Sequence, residues 1–284
     1  MIFVSTGGYN TLPAWQTSEL MKHAGILNVE LSGGQHDSMQ ITYLRKLSKS
    51  INFNLHNYFP PPKEPFVLNL ASLNSEIAEK SIEHITNTLN LCSELGLNAY
   101  SFHAGFLVDP KVSELGKKIL SQRMYPRKEA TNLFFDRLYK LSERSTCLGV
   151  NLFVENNVLS KSVYSEFNNN PLLMVDSDES LHFAKLLPNN VKILLDVAHL
   201  KVSAGTLNFD KVEFLKLLNP WIGAYHLSDN DGNVDSNSPM DEYSWFWPYL
   251  KSNLDYYTVE VYSSDTQLLF NQVQLTASML NQYA

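Results

Sequence analysis

In "KILLDVAHL", residues 192–200, an apolar run long enough for a buried strand ends on Asp196, and His199 follows three residues later. Two polar groups that are costly to bury unpaired therefore stand where a core strand finishes. Seven other short β-rich runs accompany it: "IFVST" (2–6), "NVELS" (28–32), "NFNLH" (52–56), "AYSFH" (99–103), "NLFVE" (151–155), "GAYH" (223–226) and "YTVE" (257–260). Helical patterns fill the gaps. In "NSEIAEKSIEHITNTLNLCSELGL" (74–97), Ile82, Ile85, Leu89 and Cys92 recur at three- and four-residue steps, the period of an amphipathic helix. Asn74 or Ser75 is placed to cap its start and Gly96 to end it. Similar patterns at 130–149, 178–187, 209–218 and 266–280 supply further crossovers, while "MDEYSWFWPYL" (240–250) fits only a short helix.

Strands alternating with helices pair in parallel. Eight such units predict a single (β/α)₈ TIM barrel spanning residues 1–284, near the ~250 residues usual for that architecture. An open doubly wound sheet would want a Gly-rich turn after its first strand, and "VSTGGYN" (4–10) is a faint echo of one. Three consecutive prolines in "NYFPPPKEPFVLNLAS" (57–72) make a long, stiffened loop near the barrel mouth.

Composition narrows the function. No apolar run approaches the ~18 residues of a membrane span. The first residues lack a signal peptide's basic region and longer apolar stretch, so a cytoplasmic protein is expected. Cys92 and Cys147 are too few and too distant for a disulfide framework or a CxxC metal site; both read as reduced. The net charge of −7 argues against nucleic acid as a partner, because a polyanion needs a basic surface.

Asp196 has company at the strand ends. Glu155 ends the fifth run, His226 the seventh and Glu260 the eighth. In a parallel barrel all C-terminal strand ends meet at one face, where active sites sit. Three carboxylates that close repel one another, and a divalent cation removes the conflict. One imidazole with three carboxylates suits Mn²⁺ or Mg²⁺ first, with Zn²⁺ or Co²⁺ as alternatives. His103 and His56 end the fourth and third runs, and His199 lies just beyond Asp196. Histidines there serve to bind a substrate hydroxyl, ligate a second metal or shuttle a proton. Glu30, near the end of the second run, either orients substrate or caps a loop. His23, His36, His84 and His182 fall in helical or loop stretches and read as structural.

The ordered pieces "NVELSGG", "FVLNLAS", "YSFHAGF", "LFVENN", "LLDVAHL", "YHLSDNDG" and "TVEVY" resemble the xylose isomerase-like barrel superfamily over nearly the whole chain. That group holds sugar isomerases and epimerases of the tagatose-epimerase type, and apurinic-site endonucleases. The resemblance implies Glu155 and Glu260 as metal ligands and acid/base groups, Asp196 and His226 as the remaining ligands, and His199 as a substrate-binding residue. Two departures stand out. Where the sugar epimerases often carry an arginine six residues after the metal histidine, this chain has Gly232. Where the multi-zinc nucleases carry Asp-x-His, it has Asp235 and Asn237 in "DSN", and asparagine is a poor zinc ligand. The implied activity is a metal-dependent isomerase or epimerase of a small sugar, sugar phosphate or polyol ketone. The alternatives are an abasic-site phosphodiesterase and a keto-inositol dehydratase. Lys161, Lys201 and Arg127 are the candidate phosphate binders, and the aromatic cluster at 238–250 serves packing or a homo-oligomer contact.

Overall fold

The computed structural model describes residues 1–9, 11–114 and 119–283. Its parallel strands close into one barrel in chain order. They are β1 Ile2–Ser5, β2 Asn28–Leu31, β3 Asn52–His56, β4 Ala99–His103, β5 Asn151–Glu155, β6 Val191–Asp196, β7 Ile222–Leu227 and β8 Tyr256–Val259. Between and after them run α1 Ala14–His23, α2 Gln40–Leu47, α3 Ser75–Leu95, α4 Arg127–Cys147, α5 Lys161–Phe167, α6 Ser177–Leu186, α7 Val197–Leu207, α8 Lys211–Leu218 and α9 Thr266–Gln282. Each expected strand is present, its ends within one residue of the reading from sequence. None of the helices described is long and apolar enough to cross a membrane.

The two-residue period of a strand explains why the barrel closes around a dry floor. Outward-facing residues such as Val4, Phe53, Leu55, Tyr100, Phe102, Leu152, Val154, Ile193, Leu195, Tyr225 and Val259 join the main core beneath the helices. Their inward-facing neighbours Phe3, Ala99, Phe153, Leu194, Ala224 and Tyr256 form a separate cluster inside the barrel. Tyr256 meets Phe3 and Phe153 edge-on, at centroid distances of 6.0 and 5.1 Å. One strand face thus binds the helices, and the other plugs the barrel.

Helix α3 is bounded as its sequence suggests. The Asn74 side chain accepts from Glu76 N at 3.0 Å, and Gly96 ends the helix with φ +69°. No pattern named above covers α1, α2 or α5, and two further elements differ from expectation. Between β7 and β8 the short helix reduces to a 3₁₀ turn, Trp247–Tyr249, since Pro248 within it has no N–H to donate. Helix α7 starts directly after β6, and its first four residues are all buried. It lacks the polar stripe that reveals a helix in sequence.

The β6–β7 pairing slips by one residue. Ile193 faces Ile222 and Leu194 faces Ala224, which leaves Gly223 as a bulge. A Cβ at Gly223 would lie 2.4 Å from Lys192 Cδ and 2.9 Å from Phe153 Cε1. Gly223→Ala should therefore destabilise the fold by about 1–3 kcal/mol, as overpacking does, read from urea unfolding. An unchanged midpoint would show that the floor yields without cost.

Candidate metal centre

Above the plugged floor, the inward faces turn polar. Glu155 lies two residues past Phe153, Asp196 two past Leu194, His226 two past Ala224, and Glu260 just beyond β8. All four are buried, and one donor atom from each lies within 4.8 Å of the others. His226 Nδ1 stands 2.9 Å from Glu260 Oε2, 3.3 Å from Glu155 Oε1 and 4.0 Å from Asp196 Oδ2. These are the four residues that the sequence marks out.

Backbone chemistry fixes their positions. Asn156 clips β5 to β6: its Oδ1 accepts from Asp196 N at 2.8 Å, and its Nδ2 donates to Asp196 O at 3.1 Å. Asp196 divides its carboxylate. Oδ1 caps α7 by accepting from His199 N at 2.7 Å, and Oδ2 has no hydrogen-bond partner among the described residues. Both carboxylate oxygens of Glu155 are likewise buried without a hydrogen-bond donor. Buried acceptors left unmade are costly, and a divalent cation would satisfy them together, so the donor set fits the group that the sequence implies.

The electrostatics agree. Burial disfavours charge on His226, yet Glu30, Glu260 and Glu155 outweigh it and raise its pKa well above the usual histidine range. Burial likewise opposes a charged His199, and Asp196 and Asp235 overcome it. Burial pushes the Asp196 carboxyl well above its ordinary value despite the pull of His199. The acids thus favour positive charge at His226 and His199, the charge that a bound cation would also supply.

The remaining histidines gather around Glu155. His56 Nε2 and His103 Nδ1 stand 3.5 and 3.3 Å from Glu155 Oε2, and these three residues form a second group with donor atoms within 4.8 Å of one another. His56 Nδ1 contacts Ser101 Oγ at 2.9 Å. Burial lowers the His103 pKa to about 4, which leaves a neutral imidazole at pH 7. His199 Nδ1 faces the Asn156 carbonyl at 2.9 Å, and its Nε2 faces Asp235 Oδ2 at 3.3 Å.

Asp235 is the residue that the sequence undersold. It follows β7 on an irregular loop, with no period to betray its direction. The loop is folded back by paired Asp229–Ser238 backbone bonds of 2.9 and 2.8 Å and by Lys201 Nζ on Asp229 Oδ1 at 2.6 Å. Asn237 beside it accepts from Tyr262 N through its carbonyl, at 2.9 Å.

Some expectations need revision. Glu30, expected to orient substrate or cap a loop, is 0% exposed and faces His226 Nε2 at 3.0 Å. Of the candidate phosphate binders, Lys201 is tied to Asp229 and the Asn230 carbonyl. Arg127 binds Glu179 at 2.6 Å and the carbonyls of Leu172 and Asn170. Lys161 opens α5, exposed. The glycines of "VSTGGYN" serve a different purpose from phosphate binding. A Cβ on Gly7 would lie 2.8 Å from the Tyr262 hydroxyl oxygen, and one on Gly8 3.0 Å from Tyr262 Cα. Gly7 makes room for the ring of Tyr262, which is 47% exposed, and Gly8 for its backbone.

Known proteins place this architecture. A crystal structure of a D-tagatose 3-epimerase-like protein superposes with a TM-score of 0.72 at 19% identity, covering 99% of this chain and 97% of that one. An L-ribulose 3-epimerase gives 0.70 at 15% identity, over 99% and 95%. At these identities the likeness is one of fold. The probable endonuclease 4 of Aquifex aeolicus (strain VF5) is 46% identical over 41 residues, only 14% of this chain and 14% of that protein. The profile of the xylose isomerase-like TIM barrel family matches residues 19–256. With a closed eight-stranded barrel and a match across most of its length, the chain belongs to the xylose isomerase-like TIM barrel family.

Proposed function

We propose that this chain is a metal-dependent isomerase or epimerase of a small carbohydrate. The observation that carries the reading is the approach of Glu155, from β5, and Glu260, from the end of β8, to the same nitrogen of His226, at 3.3 and 2.9 Å. Two carboxylates at one point can serve as an acid/base pair. One takes a carbon-bound proton, and the other returns a proton to the opposite face or to the next carbon. A divalent cation held by Glu155, Asp196, His226 and Glu260 would polarise the neighbouring carbonyl or hydroxyl. The three-carboxylate donor set favours Mn²⁺ or Mg²⁺ over Zn²⁺ or Co²⁺. His199 and Asp235, paired at the edge of the cluster, are suited to binding sugar hydroxyls. Because Lys201 and Arg127 are engaged elsewhere, an unphosphorylated sugar fits better than a sugar phosphate. The epimerases that share the fold support the assignment.

One observation favours a second reading. His56 and His103 share Glu155 with the first cluster, and these residues would offer donors to a second cation. Paired cations suit phosphodiester hydrolysis, and the short match to an endonuclease 4 points the same way. The acidic net charge counts against a nucleic-acid substrate.

Solvent deuterium should enter carbon positions of ketoses in a substrate panel without loss of water. Cleavage of an abasic oligonucleotide in place of exchange would select the hydrolase. Glu260→Gln should fold normally, lose about 10²–10⁴-fold in turnover, the share of a positioned acid or base, and retain metal less well. Normal turnover would remove Glu260 from its role. Because a metal takes the deprotonated imidazole nitrogen and its acidic neighbours raise the His226 pKa, metal binding should release protons and tighten as pH rises. Calorimetry in buffers of different ionisation enthalpy reads this directly, and a pH-independent affinity would contradict it.

A further inference from the structure

We propose that Glu30 is a positioning residue for the metal centre, holding the Nε2 edge of His226 so that Nδ1 faces the cation. The assignment rests on the reading of Glu155, Asp196, His226 and Glu260 as a cation site. Glu30 lies on β2, in register with Ser5 on one side and Asn54 on the other. Its Oε1 stands 3.0 Å from His226 Nε2, a charge contact outside hydrogen-bond geometry. Its Oε2 accepts from Thr258 Oγ1 at 2.9 Å. With 0% exposure it has no surface to offer an arriving substrate.

A carboxylate enclosed in this way is costly unless a partner compensates it, and the imidazole of His226 is the group it faces. An imidazole offers a metal one nitrogen while the other carries a proton. A negative charge this close to Nε2 favours the proton on that nitrogen, which leaves the lone pair on Nδ1 for a cation. That nitrogen is the one beside Glu260, Glu155 and Asp196. Glu30 also makes the ring more basic, as outer carboxylates do for metal-bound histidines. Thr258 on β8 fixes the second oxygen, so the carboxylate is held from two strands.

The experiment is a Mn²⁺ titration of the full-length protein and its variants, followed by the EPR signal of free Mn²⁺, beside the thermal midpoint of each protein prepared without metal. Glu30→Ala should weaken Mn²⁺ binding by about 10–100-fold. Glu30→Gln, which keeps the volume and loses the charge, should weaken it by about tenfold on the same ground and carries the test if the alanine variant does not fold. A purely structural role would lower the midpoint and leave the affinity of both variants within twofold of the parent. That result overturns the assignment and leaves the cation site standing. Failure of the unaltered protein to bind Mn²⁺ or any other divalent cation would overturn both.

Discussion

Removing several carboxylates from water at one point is tolerable only when positive charge stands among them, and the arrangement inside this barrel follows from that constraint. Glu155, Asp196 and Glu260 converge in a buried layer, and Glu30 lies behind the histidine they share. Every imidazole nearby faces at least one of these acids. His226 lies between two of them, with Glu260 at Nδ1 and Glu30 at Nε2. The interior is therefore built around charge balance, and hydrophobic packing supplies the frame that holds it.

That frame comes from the alternation of a strand. Outward residues bind helices, and on β4–β8 several inward residues begin apolar and turn polar two positions later. The apolar plug of Phe3, Phe153 and Tyr256 shuts the lower end of the barrel, and the low dielectric around the charged layer strengthens every interaction within it. Asp196 joins frame to chemistry in one side chain. One oxygen starts α7 and the other faces the cluster, so the helix start aims the ligand.

The strands and the four clustered residues were legible because both depend on short-range order. A buried parallel strand reads as an apolar run, and a polar residue at its end reads as an exception. What escaped the sequence lacks such order. Helix α7 is buried along its first turns and shows no stripe. Asp235 reaches the site through an irregular loop whose direction is set by Lys201 and by the Asp229–Ser238 pairing, contacts with no local signature. Glu30 was visible as an acid at a strand end, but its partner lies five strands further along the chain. Only closure of the barrel shows that it faces a histidine and not the mouth.

The first loop carries a consequence of its own. Gly7 leaves room for the Tyr262 ring and Gly8 for the Tyr262 backbone, so residues more than 250 positions apart in the chain divide one volume between them. A side chain added on the early loop demands a subtraction on the late one, so the two segments can change only together.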